Sequence, residues 1–329
     1  MAEHDTYIWV DGETISLSEA HQRFGSGSFP KPVVGNCFRM SEYISLPIFS
    51  PVGWLSNGIL PLRSKMLLFG EPKSGKSFLA MQLAHSVAES LPWLGFQPHP
   101  DPNLNPITMY LQSEISEGEF KCRLMPLSPS PTMFVETVHG LTLLGSDTDK
   151  LWKRLRVIQP SVLVLDPLYM LMEGDITNIS HITIVNRTID QIIDEFGCSV
   201  VIIHHSRKLT EEQSRDSLLN ALGSVAIPAF YDSILWIERK DTFMLLHFAL
   251  RHDRSPDPLP IYQREDGLFE TLDILSTLTN DWKDVEEIRV ELGLTETQAN
   301  RSMLSALLVH LSTLGLIEKT TTRKYRRPQ

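Results

Sequence analysis

The spacing Gly70-x-x-x-x-Gly75-Lys76-Ser77 constrains this chain more than any other feature. It separates an apolar run, Lys65 to Phe69, from a second apolar stretch bearing Phe78, Leu79, Met81, Leu83, Ala84 and Val87. A strand that turns into a helix usually needs one glycine and a capping residue. This turn spends Gly70, Pro72, Gly75 and the serines Ser74 and Ser77. The two glycines admit dihedrals closed to other residues and let backbone N–H groups crowd together. Such N–H groups form a concave nest for anionic oxygens, and the helix that follows points its positive end at the same place. In this pattern the lysine reaches the β- and γ-phosphates and the hydroxyl completes a Mg²⁺ shell. Gly70, Glu71, Pro72, Lys73, Ser74, Gly75, Lys76, Ser77 and Phe78 are therefore expected to hold ATP, with the metal on Ser77. A plain glycine-rich turn is the competing reading, and the strand-then-helix context argues against it.

The rest of the chain is consistent with a globular protein of one large and one small unit. Its 329 residues are 42% hydrophobic and 21% charged, enough apolar material for a core and too little charge for disorder. The net charge of −10 argues against a surface basic throughout, yet leaves room for a local basic groove. Cys37, Cys122 and Cys198 lie far apart with no paired spacing, which predicts a reduced, cytoplasmic chain without a disulfide framework or zinc site. The first residues, MAEHDTYIWV, show no targeting pattern, and no apolar run approaches membrane-spanning length.

Three regions follow from the patterning. Residues 1–57 read as an accessory arm, with Asp11-Gly12 between β-prone residues as a hairpin signal. Ser16 and Glu19 mark a capping box for a short helix ending at Gly25, and GSGSFPKPVVG reads as a linker. Residues 58–265 alternate strands (65–69, 107–111, 133–138, 162–165, 199–203, 233–238, 243–249) with helices (after Ser77, then 117–125, 147–159 and 182–196). Several strands are apolar throughout, as in a mainly parallel sheet covered on both faces, so the expected class is α/β. Residues 272–329 predict three helices with Gly293 at a turn and Thr295 capping the third, then a basic terminal hairpin. That order fits a small winged-helix domain. It holds eight Lys and Arg against eight Asp and Glu, so it is neutral while the remainder carries the negative charge. Winged helices serve both DNA and protein contacts, and the basic end tilts the reading toward DNA.

Candidate chemistry sits at strand ends. Four apolar residues run into Asp166, where a buried carboxylate needs a cation or hydrogen bonds to offset desolvation, so Asp166 is the metal-side acid. Pro167 follows, leaving no neighbouring acid to orient water. The strand beginning at Ile107 leads into Glu114, and a neighbouring parallel strand delivers its C-terminal end to the same edge as the loop. Glu114 is the expected catalytic base, with Glu117 and Glu119 as weaker substitutes. His204 and His205 end another apolar strand and face opposite sides, so at most one addresses the nucleotide.

The motifs GEPKSGKS, YLQSE, VLVLDPL and IIHHSRK, in that order, resemble those of RecA-like P-loop ATPases, and within them the RepA-like hexameric replicative DNA helicases of plasmids and phages. The resemblance covers about 200 residues, and ALGSVAIPAFYDSILWIER resembles the segment after the second DNA-facing loop. It implies a RecA-like core in which Lys76 is catalytic and holds phosphate, Ser77 and Asp166 hold Mg²⁺, and Glu114 activates water. It also implies that His205 senses the γ-phosphate. Arg251 and Arg254 become candidate fingers reaching the next subunit's nucleotide, against the alternative of a solvated loop. Loops 169–181 and 207–222 would line a channel, with Arg207, Lys208 and Arg215 touching single-stranded DNA. Arg323, Lys324, Arg326 and Arg327 would meet duplex DNA. Such helicases need not carry a winged helix, and the arm lacks a zinc or primase signature. Two functions therefore stand: a ring-forming, DNA-dependent helicase of a mobile element or phage, or an ATP-dependent DNA-binding switch or recombination mediator without helicase activity.

Overall fold

A computed structural model describes residues 7–10, 13–16, 40, 53–100, 106–138, 143, 148–171, 179–205, 230–239, 243–272, 274–294 and 296–328. Near the N-terminus, β1 (Tyr7–Val10) pairs antiparallel with β2 (Glu13–Ser16), and Ser16 ends that ladder opposite Tyr7. The short helix expected after Ser16, and the linker, lie outside the described residues. Next come β3 (Gly53–Leu55), β4 (Leu60–Pro61), β5 (Lys65–Gly70) and helix α1 (Lys76–Ala88). They are followed by β6 (Thr108–Gln112), α2 (Glu117–Leu124), β7 (Met133–Thr137), α3 (Thr148–Ile158) and β8 (Val162–Asp166). Then come α4 (Ile179–Phe196), β9 (Ser199–His205), β10 (Ser233–Arg239), β11 (Met244–Leu250), β12 (Leu259–Gln263) and β13 (Phe269–Thr271).

Nine of these strands form one sheet, in the order β13-β12-β11-β10-β5-β9-β8-β6-β7. The run from β10 to β7 is parallel and β11 to β13 add antiparallel. The parallel strands β5, β6 and β8 are buried at every position. The cause is cover on both faces. Leu79, Ala80, Leu83 and Ala84 of α1 pack with Leu68, Tyr110, Val164 and Val201 on one side. Leu151 and Leu155 of α3 and Ile182, Val185, Ile189 and Ile192 of α4 pack with Leu67, Leu163 and Ile202 on the other. This is an α/β fold with a large, mostly parallel sheet, as the apolar strands led us to expect.

The C-terminal stretch contains α5 (Ile274–Thr277), α6 (Val285–Glu291), α7 (Gln298–Thr313), and the paired strands β14 (Glu318–Lys319) and β15 (Tyr325–Arg326). Leu278, Ile288, Leu304, Leu307, Leu308 and Tyr325 form its core, joined by Phe243 and Leu245 from the large sheet. Asp284 caps α6 in a capping box with Glu287, and Gly293 turns the chain at φ 67°. The cap of α7 is Thr297, not Thr295 as expected. Thr297 is the residue with extended backbone before the helix, so its hydroxyl accepts the Asn300 N–H at 3.1 Å.

The hairpin β12–β13 was not expected from the sequence. Pro260 interrupts its first strand, which weakens any strand signal there. Its second strand is pinned over α1 by one side chain. Gln82 Nε2 donates to the Phe269 carbonyl at 2.9 Å, and the Phe269 N–H donates to Gln82 Oε1 at 2.9 Å. Phe269 in turn lies against Gly75, where a Cβ would come within 2.4 Å of the ring. Replacing Gln82 with Leu leaves both backbone groups of Phe269 without their partner. We expect Gln82→Leu to destabilise the protein by about 2 kcal/mol, read from the shift of the urea unfolding midpoint, with secondary structure unchanged.

Candidate nucleotide site

Gly75 is the N-cap of α1 at φ 83°, a left-handed conformation that costs a glycine nothing. The turn it makes brings Lys76 back over the loop. Lys76 Nζ donates to the carbonyls of Gly70 at 3.0 Å and Glu71 at 2.6 Å, with Ser74 Oγ at 3.5 Å. Its side chain is buried, and burial lowers its pKa to about 8, against the opposing pull of Asp166, Glu114 and Glu71. A buried ammonium at the mouth of a backbone nest is a receptor for an anion. Ser77 begins the first helical turn beside it.

Parallel pairing brings the acids to the same edge. Gln112 of β6 is in register with Asp166 of β8, and Gly70 of β5 with His205 of β9. Asp166 is the last residue of β8 and is 5% exposed. Its pKa is raised, chiefly by burial, while hydrogen bonds from Tyr110 and Ser77 pull it back. Glu114 lies two residues beyond the end of β6 rather than within the strand. There the Glu114 N–H and the Ile115 N–H both donate to Gln112 Oε1, at 3.1 and 3.0 Å, which fixes the turn. Ser77, Gln112, Glu114, Phe120, Arg123 and Asp166 line a small cavity between α1, α2 and β8. His205 Nε2 stands 3.5 Å from Glu114 Oε2, whereas His204 is buried on the opposite face of the sheet and its pKa falls to about 4. Of the two histidines, His205 is therefore the one that faces the nucleotide edge.

A family profile described as "AAA domain" matches residues 45–211, which include the loop, Glu114, Asp166 and His205. The chain belongs to this family. The solved ATPase domain of a phage helicase is similar at TM-score 0.50 and 14% identity, covering 64% of this chain and 85% of that one. A structure titled "The Structure Of A DnaB-Like Replicative Helicase And Its Interactions With Primase" is similar at TM-score 0.50 and 13% identity. It is covered over 58% of its length by 64% of this chain, so the chain spans little more than half of that relative. These likenesses identify the fold as that of RecA-like helicase ATPase domains. No curated protein matches the chain.

Within this AAA domain, sequence reasoning missed several residues that complete the site. Arg123 of α2 lines the cavity, is ion-paired with Glu119, and stacks its guanidinium 5.2 Å from the Phe78 ring. Phe78 is thus a packing partner of Arg123 and lies against Gly267 of the β12–β13 turn. Tyr169, in the 3-10 turn after Asp166, places its ring 5.6 Å from that of His205. Its pKa is raised by burial, by the Glu114 charge and by a hydrogen bond to Glu114. Arg123 and Tyr169 carry no motif signal of their own, and their ring partners Phe78 and His205 lie on other elements far away in sequence.

The remaining candidates fall elsewhere. Arg251 and Arg254 follow β11 at the sheet edge opposite the loop. The Arg251 N–H donates to the Asp232 carbonyl, and the Asp232 N–H donates to the carbonyl of Lys65, the residue that starts β5. Gly70 ends that strand, so Arg251 is roughly 17 Å from the loop along it. Arg251 Nη1 approaches Asp232 Oδ1 at 3.5 Å, and Arg254 is exposed. Arg207, Lys208 and Arg215 lie outside the described residues. Arg326 is ion-paired with Glu318 and stacked 4.5 Å over Trp282, and Arg327 donates to the Leu275 carbonyl. Arg323 and Lys324 are exposed at the turn between β14 and β15.

The donor set fits Mg²⁺. Asp166 Oδ1 is buried without a hydrogen-bond partner, while Ser77 is close enough to hydrogen-bond the same carboxylate. A hard cation prefers such oxygens and leaves most of its shell to water and phosphate. Bound there, it would neutralise charge on the β- and γ-phosphates. If Glu114 orients the attacking water, Glu114→Gln should retain ATP binding while turnover falls by ~10² or more. Lys76→Ala should weaken binding and turnover together. Calorimetry with an ATP analogue and a phosphate-release assay separate the two outcomes, and near-normal turnover in Glu114→Gln would shift the role to Glu117.

Proposed function

We propose that this protein is a DNA-dependent ATPase that works as a ring-forming, hexameric DNA helicase in replication or repair of a mobile element or phage. The observation that carries the reading is the contact between Glu114 and His205. Glu114 would activate water, and His205, 3.5 Å from it, is the last residue of β9, before the stretch bearing Arg207, Lys208 and Arg215. A γ-phosphate beside Glu114 would draw on His205 and so move that stretch, while DNA on the stretch would move His205 in return. Tyr169 offers the same link to the segment after β8. Such reciprocity is what coupling between two ligands requires.

In this reading residues 58–265 are the motor and residues 1–57 an accessory arm for packing or subunit contact. Residues 272–329 form a winged-helix domain. Arg251 and Arg254 cannot serve their own loop from the opposite sheet edge. That location suits fingers acting on the next subunit's nucleotide. Both solved relatives are helicase structures, and they support the motor fold.

The test is ATP hydrolysis with and without unmodified single-stranded DNA, together with light scattering in the presence of an ATP analogue. Stimulation by DNA and a ring-sized species support the helicase reading. Assembly without stimulation would favour the alternative, an ATP-dependent DNA-binding switch or recombination mediator. Arg251→Ala subunits should bind ATP yet depress a mixed ring more steeply than their own fraction. A loss strictly proportional to the mutant fraction would remove Arg251 from the mechanism.

The charge pattern of the C-terminal domain narrows where duplex DNA would touch it. Its α6–α7 face carries Glu286, Glu287, Glu291 and Glu296, and Arg301 is already paired with Glu296. Arg326 is paired with Glu318 and Arg327 donates to the Leu275 carbonyl, whereas Arg323 and Lys324 are exposed at the tip of the terminal hairpin. Replacing both with Ala should flatten the plot of log duplex affinity against log salt by about two units, leaving single-strand-stimulated hydrolysis intact. An unchanged slope would make this domain a protein-docking element.

A further inference from the structure

We infer that Tyr110 is a positioning residue that sets the orientation of the Asp166 carboxylate and so tunes divalent-ion affinity at the nucleotide site; this rests on the ATPase reading above. Tyr110 lies on β6, two residues before Gln112, the register partner of Asp166. Residues two apart on a strand share a face, and register partners in parallel strands do too, so the Tyr110 and Asp166 side chains meet diagonally on the face that packs against α1. The Tyr110 hydroxyl donates to Asp166 Oδ2 at 2.6 Å, a charge-assisted distance. The Ser77 carbonyl is a weaker second acceptor at 3.3 Å.

An aspartate carboxylate swings over a broad, two-fold torsion, so either oxygen can face a ligand equally well. Tyr110 removes that degeneracy. With Oδ2 occupied, Oδ1 becomes the buried, unpartnered oxygen beside the phosphate loop. The tyrosine itself has no room to move. It is 0% exposed, its ring lies 5.5 Å from that of Phe120, and Val162 and Val164 belong to the same core. A donor fixed this firmly is not needed to fill the core, since Phe would pack there as well. It is needed to hold the carboxylate.

The experiment is a Mn²⁺ titration followed by electron paramagnetic resonance, with a non-hydrolysable ATP analogue bound to the full chain. Tyr110→Phe should weaken ion affinity about tenfold, the loss of one charge-assisted hydrogen bond, while metal-free nucleotide affinity stays near wild type. If the Phe variant folds poorly, 4-fluorophenylalanine at position 110 fills the hydroxyl volume without a donor and should show the same tenfold loss. Conversely, 4-aminophenylalanine restores an N–H donor and should recover most of the affinity. Wild-type ion affinity in either donor-less variant overturns the role of Tyr110. Failure of the wild-type protein to bind the ion with nucleotide would instead overturn the ATPase reading itself.

Discussion

The structure depends on keeping an ammonium and a carboxylate out of water at one edge of a sheet. Lys76 and Asp166 are both less than a tenth exposed, and burial alone would push each toward its neutral form. The fold offsets that cost with backbone carbonyls on the lysine and a tyrosine and a serine hydroxyl on the aspartate. Each of these partners must arrive from a different element. Loop carbonyls come from the end of β5, the tyrosine from β6, and the serine from α1. Strand order and register are therefore conditions for the charges to exist there at all. A one-residue slip of β6 against β8 would turn Tyr110 away from Asp166 and leave a buried charge unpaired.

Parts of this arrangement were legible in the chain because they are local. The loop, the strand ending in Asp166 and the strand ending in two histidines each announce themselves within ten residues. The central strands were readable because two-sided burial leaves them apolar throughout. Tyr110, Arg123 and Tyr169 were not legible, since an aromatic or basic residue on a strand or helix carries no sign of what it meets. Their partners are fixed only when β6, β8 and β9 come into register. The displaced cap at Thr297 has a similar cause. Two threonines flank Glu296, and the choice between them depends on where the chain leaves the Gly293 turn.

The hairpin β12–β13 shows how the site is joined to what lies beyond it. Phe269 touches Gly75 of the loop and is clamped by Gln82 of α1, and Leu272 and Ile274, just past it, enter the C-terminal core. A displacement of the first turn of α1 on nucleotide binding would be felt at Phe269 without passing through solvent. Tyr262 of β12 packs against the same C-terminal core. Interiors packed to this density transmit small shifts rather than absorb them.

The two ends of the sheet then have separate tasks. The loop end gathers Lys76, Glu114, Asp166 and His205, while the opposite end gathers Asp232, Arg251 and His252, with His252 Nε2 at 3.1 Å from Asp232 Oδ1. Asp232 also accepts the Lys65 N–H through Oδ2 at 2.9 Å, so the carboxylate that meets the arginine is anchored on the first residue of β5. Strand β5 thus separates the candidate nucleotide site from Arg251, which Asp232 already pairs. Within one chain the two cannot meet, because β5 holds them apart.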